Sequence, residues 1–119
     1  MTVQFLAELL EAKLHTANTK PDLVIKSACG ADLMSDVMAF VKEDVVLLTG
    51  LANIQTVRTA NLLDIPVIVF VRGKQPDTEL IEEASRAGIV LMTTKDTLFI
   101  ACGKVYEAGV RTGGNRPVA

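Results

Sequence analysis

Tryptophan is missing from this chain of 119 residues, histidine occurs once, cysteine twice, and aromatic residues make up only 4%. Each shortage removes a kind of chemistry. A single histidine without a close cysteine pair excludes a zinc site built from imidazole and thiolate ligands. Cys29 and Cys102 lie far apart in the sequence. They offer half of the usual cysteine set of an iron–sulfur cluster, and a structural disulfide between them is not expected in a reducing compartment. The 12 lysines and arginines form no basic stripe, and a formal charge of −2 argues against a nucleic-acid partner. No apolar run approaches the length that crosses a bilayer, and no secretory signal pattern opens the chain, so a cytoplasmic protein without membrane contact is expected.

Aliphatic residues are what the sequence has in quantity. Half of the chain is hydrophobic, and with so few aromatics the core must be built from Val, Leu, Ile, Ala and Met. A mean hydropathy of +0.36 on a chain of 12.8 kDa implies more apolar surface than one small globule hides, and association into a homodimer is expected. Composition divides the chain into one domain, residues 1–109, and a tail of turn-forming residues, 110–119.

The stretch from Asp44 to Phe70 carries the plainest signal. Val45 to Leu48 and Val67 to Val71 are apolar runs without polar alternation, the pattern of strands covered on both faces. Between them Ile54, Val57, Leu62 and Leu63 approximate a helical stripe, so the stretch reads as a β-α-β unit. Upstream, Thr2 is placed to cap a helix whose Val3, Leu6, Leu9, Leu10 and Leu14 share a face, with Pro21 beyond its end. Leu23 to Ile25 is expected as a first strand. A small-residue turn then leads to a helix carrying Leu33, Met34, Val37, Met38 and Val41, capped by Asp32 or Ser35, with Asp32 and Asp36 sharing a face near its dipole. Downstream, Asp77 or Thr78 caps a helix closed by Gly88, Ile89 to Met92 forms a strand, and a last helix runs from about Thr97 to Ala108. Its start, Leu98 through Cys102, is apolar all round and predicts burial in the fold or against a second subunit. The expected fold class is therefore α/β, a layered domain with a mainly parallel central sheet of about four strands alternating with helices.

With these elements placed, the chain resembles the small stand-alone DRTGG-domain proteins. The likeness spans about Leu23 to Ala108 and is carried by Gly30-Ala31-Asp32-Leu33-Met34-Ser35-Asp36-Val37-Met38-Ala39, the Asn53-Ile54 helix start, Ile65-Pro66-Val67-Ile68-Val69 and Thr93-Thr94. The glycine-rich motif that names the family falls where this chain has Ser27-Ala28-Cys29-Gly30, so Cys29 stands in for one glycine. The Arg111-Thr112-Gly113-Gly114 string, in the tail, is read as coincidence. The resemblance implies a fold like the N-terminal domain of HPr kinase and use as a regulatory module. Related domains accompany CBS domains in some pyrophosphatases and precede the catalytic domain in some phosphotransacetylases, and stand-alone members are associated with iron-only hydrogenase and related redox systems.

In an open parallel sheet the loops at the carboxyl ends of the strands line the ligand crevice. The candidates there are Gly30, Asp32, Thr49, Gly50, Asn53, Arg72, Lys74, Thr94 and Lys95. Hydroxyls, three cations and free backbone N–H groups suit a phosphate, a carboxylate or a nucleotide-like ligand. Neither a Walker lysine motif nor a dinucleotide glycine fingerprint is present. The expected function is thus a non-catalytic regulatory or interaction module that needs no cofactor. Two alternatives stand beside it: an accessory protein that meets a redox-enzyme partner through its last helix, and a small enzyme acting on a phosphorylated or acyl substrate, with Asp32 and Lys95 as acid and base and Cys29 as nucleophile.

Overall fold

A computed structural model describes residues 1–39 and 43–113. The chain forms helix α1 (Val3–Leu9), strand β1 (Lys13–Leu14), β2 (Ser27–Gly30), α2 (Met34–Met38), β3 (Val45–Thr49), α3 (Ile54–Leu62), β4 (Val67–Phe70), α4 (Thr78–Arg86), β5 (Val90–Thr93) and α5 (Leu98–Glu107). The expected class is what it builds. Five strands in the order β1-β5-β4-β3-β2 make one sheet, with β2 to β5 parallel and β1 antiparallel against β5.

The continuous apolar runs become the central strands because both of their faces are covered. Every residue of β3, β4 and β5 is buried. Alternation along each strand sends Val46, Leu48, Val67, Val69, Val90 and Met92 to the face packed by α1 and α5. Val45, Leu47, Ile68, Phe70 and Leu91 go to the opposite face, packed by α2, α3 and α4. The result is a three-layer sandwich. Side-chain caps fix the helix starts: Thr2, Asn53, Asp77 and Thr97 each accept from a backbone N–H three residues on.

Several expectations need correction. The first parallel strand is Ser27–Gly30, and Leu23 to Ile25 contributes only an isolated bridge between Val24 and Thr2. Ile25 is instead a core residue beside α1, while small residues occupy β2 because α5 presses on it. A Cβ added at Gly30 would stand 2.5 Å from Cys102 Sγ and 3.6 Å from Leu98 Cδ1. The first helix stops at Leu9 with Leu10 as its C-cap. Glu11 then turns the chain through a left-handed φ of 48°, so that Lys13 and Leu14 pair with the otherwise open edge of β5. Helix α2 takes Leu33 as N-cap without a side-chain hydrogen bond, so neither Asp32 nor Ser35 caps it. Val41, expected on its apolar face, lies outside the described residues.

The strand order also lacks a reversal. Going from β2 through β3 and β4 to β5, each crossover steps in the same direction, which is why α2, α3 and α4 share one face. The parallel strands thus have no topological switch point of the kind that opens a crevice in doubly wound sheets. Of the expected tail, Val110 is buried and Thr112 pairs with Ser27 along the outer edge of β2. Residues 114–119 lie outside the described residues.

Candidate functional site

Because β2 to β5 are parallel, the segments following them emerge on one rim. The strongest convergence on that rim is between the first three. Asp32, just past β2, accepts a 2.6 Å hydrogen bond from the Gly50 backbone N–H and a 3.3 Å bond from the Thr49 hydroxyl. Its second oxygen lies 3.6 Å from the Arg72 guanidinium, with both side chains a little under half exposed. Gly50 leaves room for this arrangement, since a Cβ there would stand 2.9 Å from Arg72 Cζ and 3.3 Å from Asp32 Oδ1 and would push the guanidinium aside. A guanidinium, a backbone N–H and a hydroxyl therefore close around one carboxylate, a donor set that suits anions in general.

The β4 segment is tied in turn to the one after β5. Arg72 and Gly73 both adopt left-handed backbone, with φ of 60° and 68°. In that conformation Arg72 N–H donates to Asp96 O at 2.7 Å and Gly73 N–H to Thr94 O at 2.9 Å. The Asp96 carboxylate also holds Lys104 of α5 at 2.8 Å. Lys74 and Lys95, both exposed, sit on these two adjoining segments.

Other candidates have their polar atoms engaged inside the fold. The buried Thr94 hydroxyl donates to Leu10 O at 2.7 Å and accepts from Asp96 N–H. Asn53 Oδ1 caps α3 through Thr56, although Asn53 also lines a pocket of about 220 Å³ with Ala52, Ile54, Asp77, Glu79 and Leu80 on the same rim. Gly30 ends β2 beneath Cys102 and Leu98. The structure therefore joins Asp32, Thr49, Gly50 and Arg72 in direct contact and leaves Lys74 and Lys95 beside them. Gly30, Asn53 and Thr94 frame the rim.

Sequence reasoning missed Asp96 and Lys104, whose pairing spans eight positions with no periodic signature. It also missed His15, whose Nε2 lies 2.9 Å from the Thr93 hydroxyl at the end of β5. Burial, with the neighbouring charge of Lys13, pushes the His15 pKa below its usual 6.5. Cys29 is buried. Desolvation first, then Cys102 and Asp36, pushes its thiol pKa up, so it is held as the thiol. Among the described residues, no group of three or more His, Cys, Asp or Glu is placed to hold a metal ion. No described helix is long and apolar enough to cross a membrane.

No family model matches the sequence, and no curated protein does. Solved structures include a clear likeness. Its partner is the crystal structure of the CBS and DRTGG domains of the regulatory region of Clostridium perfringens pyrophosphatase, complexed with the activator diadenosine tetraphosphate. The TM-score is 0.72 at 18% identity, over 87% of this chain. It is a likeness of fold. This chain spans 45% of that one, which holds both CBS and DRTGG domains. The neighbour belongs to a regulatory region, not a catalytic one.

Proposed function

We propose that this chain is a non-catalytic regulatory module that senses a small anionic ligand of the nucleotide class through the segments at the carboxyl ends of β2 to β5. The observation that carries the reading is the clasp in which Arg72, Gly50 N–H and Thr49 surround the Asp32 carboxylate. Arg72, Lys74 and Lys95 would meet the ligand's phosphate groups. Asp32, Thr49 and Gly50 set the position of Arg72, while Gly30, Asn53 and Thr94 hold the backbone that shapes the rim. Support comes also from the fold likeness to a regulatory region solved with a dinucleoside polyphosphate activator. An enzymatic role for Cys29 is disfavoured by its burial and raised pKa.

Thermal denaturation with ATP, AMP, diadenosine tetraphosphate and inorganic phosphate, followed by calorimetric titration of whichever stabilises, tests the reading. At least one nucleotide should raise Tm in the manner of a ligand that binds only the folded chain, and Arg72→Ala combined with Lys74→Ala should abolish the rise. A chain indifferent to all four, or a rise undiminished in the double variant, would sink the assignment.

A further inference from the structure

Helix α5 turns Ala101 and Val105 into the core, yet leaves Phe99 83% exposed, Ile100 45% and Tyr106 52%. At 100° per residue these side chains do not scatter round the helix. Phe99 and Tyr106 flank one side of Gly103, and Ile100 and Glu107 flank the other, so Gly103 lies at the middle of the exposed face. An interior helical glycine is unfavourable by its propensity, and nothing among the described residues requires this one: a Cβ added at Gly103 meets none of their atoms within 4 Å. The open strip is thus small at its centre, aromatic on one side, and made of Ile100 and Glu107 on the other. Its charges, Glu107 and Arg111, lie toward the C-terminal end, where Arg111 stacks on the Tyr106 ring 4.5 Å from its centroid.

We propose that this face of α5 is the contact between two copies of the chain, with the helices packed antiparallel about a two-fold axis at Gly103. A two-fold interface must be complementary to itself. The face meets that condition, because rotation about Gly103 brings residues above the glycine opposite those the same distance below it. Phe99 of each copy then lies beside the Tyr106 ring of the other, and Ile100 lies along the methylenes of the other copy's Glu107. The two glycines let the backbones approach. The area is of the right order: aromatic side chains carry about 150–250 Å² each, so Phe99 and Tyr106 expose roughly 200–300 Å² between them, and Ile100 adds to it. That is about a third of the ~800 Å² each partner buries in a standard interface, so the aromatic strip would form the centre of the contact and the surface around it the polar rim. The inference is independent of the ligand proposed above.

Sedimentation velocity on the wild-type chain and on Gly103→Glu and Phe99→Ser variants tests it, with circular dichroism confirming that each variant folds. The wild-type chain should sediment at twice its formula mass. Both substitutions should raise the dimer dissociation constant by about 30-fold or more, the loss expected at an interface hot spot. In a Cys102→Ala background, Gly103→Cys should oxidise readily to a disulfide-linked dimer through position 103. A wild-type chain that stays monomeric at high micromolar concentration overturns the proposal. So does a dimer that both variants leave intact, or a Gly103→Cys chain that does not cross-link under mild oxidation.

Discussion

Asp32 shows how far a residue's role depends on what the fold brings to it. Its position, just ahead of a helical pattern, predicts a cap. Its carboxylate instead takes the Gly50 N–H, the Thr49 hydroxyl and Arg72, three groups from two other strand ends. Removing it leaves the Gly50 N–H and Thr49 hydroxyl without their acceptor, and Arg72 without its counter-charge. A partly exposed charged hydrogen bond of this kind is worth about 1 kcal/mol, while the exposed ion pair itself adds little. Asp32→Ala should therefore lower unfolding stability by about 1 kcal/mol, read from the urea midpoint. Asp32→Asn should recover part of that loss, since the amide oxygen still accepts from Gly50. An Asp32→Ala midpoint equal to wild type would show that water replaces the carboxylate at no cost.

At the scale of elements, the contact between α5 and β2 decides where the first parallel strand lies. Leu23, Val24 and Ile25 have the stronger strand composition, yet Ser27 to Gly30 pairs with β3. The edge strand passes beneath Cys102 and Leu98, and at Gly30 even a methyl group would meet the Cys102 sulfur. Gly30→Ala should consequently overpack this contact, costing about 1–3 kcal/mol. Combining it with Cys102→Ala, which vacates the sulfur's place, should return at least half of the loss. Urea denaturation of both single variants and the double variant completes the cycle. Strictly additive losses would mean that the two positions do not share the contact.

The same scale explains which elements were legible. Helices α3, α4 and α5 and strands β3, β4 and β5 follow from continuous apolar runs, capping residues and helical spacing, all local properties of the chain. Strand β1 was not legible. Leu14 continues the apolar spacing of α1, and only the open edge of β5 draws it and Lys13 out of the helix into an antiparallel pair. The candidate site divides along the same line. That the rim carries Arg72, Lys74 and Lys95 follows from parallel strands ending where the apolar runs end. That Thr94 and Asn53 spend their polar atoms on the fold, through Leu10 and Thr56, depends on partners far away in sequence or on a cap already engaged.

For the whole molecule, His15 links protonation to stability. Burial and Lys13 disfavour its charged form in the folded chain, so the folded pKa lies below the ordinary 6.5. Between the two values the unfolded chain binds more protons than the folded one. The contribution is fully present above pH 6.5 and is lost as pH falls through that value toward the folded pKa. Chemical denaturation at a series of pH values from 8 to 5 should show stability declining across this window, and His15→Gln should flatten the decline. A wild-type profile that rises on acidification would reverse the sign and place a stabilising counter-charge beside the imidazole.

The sequence by itself determined the layered α/β class, the direction of the central strands and the rim on which their connections open. These follow from local chemistry: unbroken aliphatic runs need cover on both faces, and strands joined through helices run parallel. The tertiary structure alone decided which strand is the edge, that the crossovers all step one way, and that Asp32 sits inside a clasp made by Thr49, Gly50 and Arg72. Such choices rest on distances between residues remote along the chain, where the free space beneath Cys102 or around a guanidinium selects one pairing among several that local pattern permits.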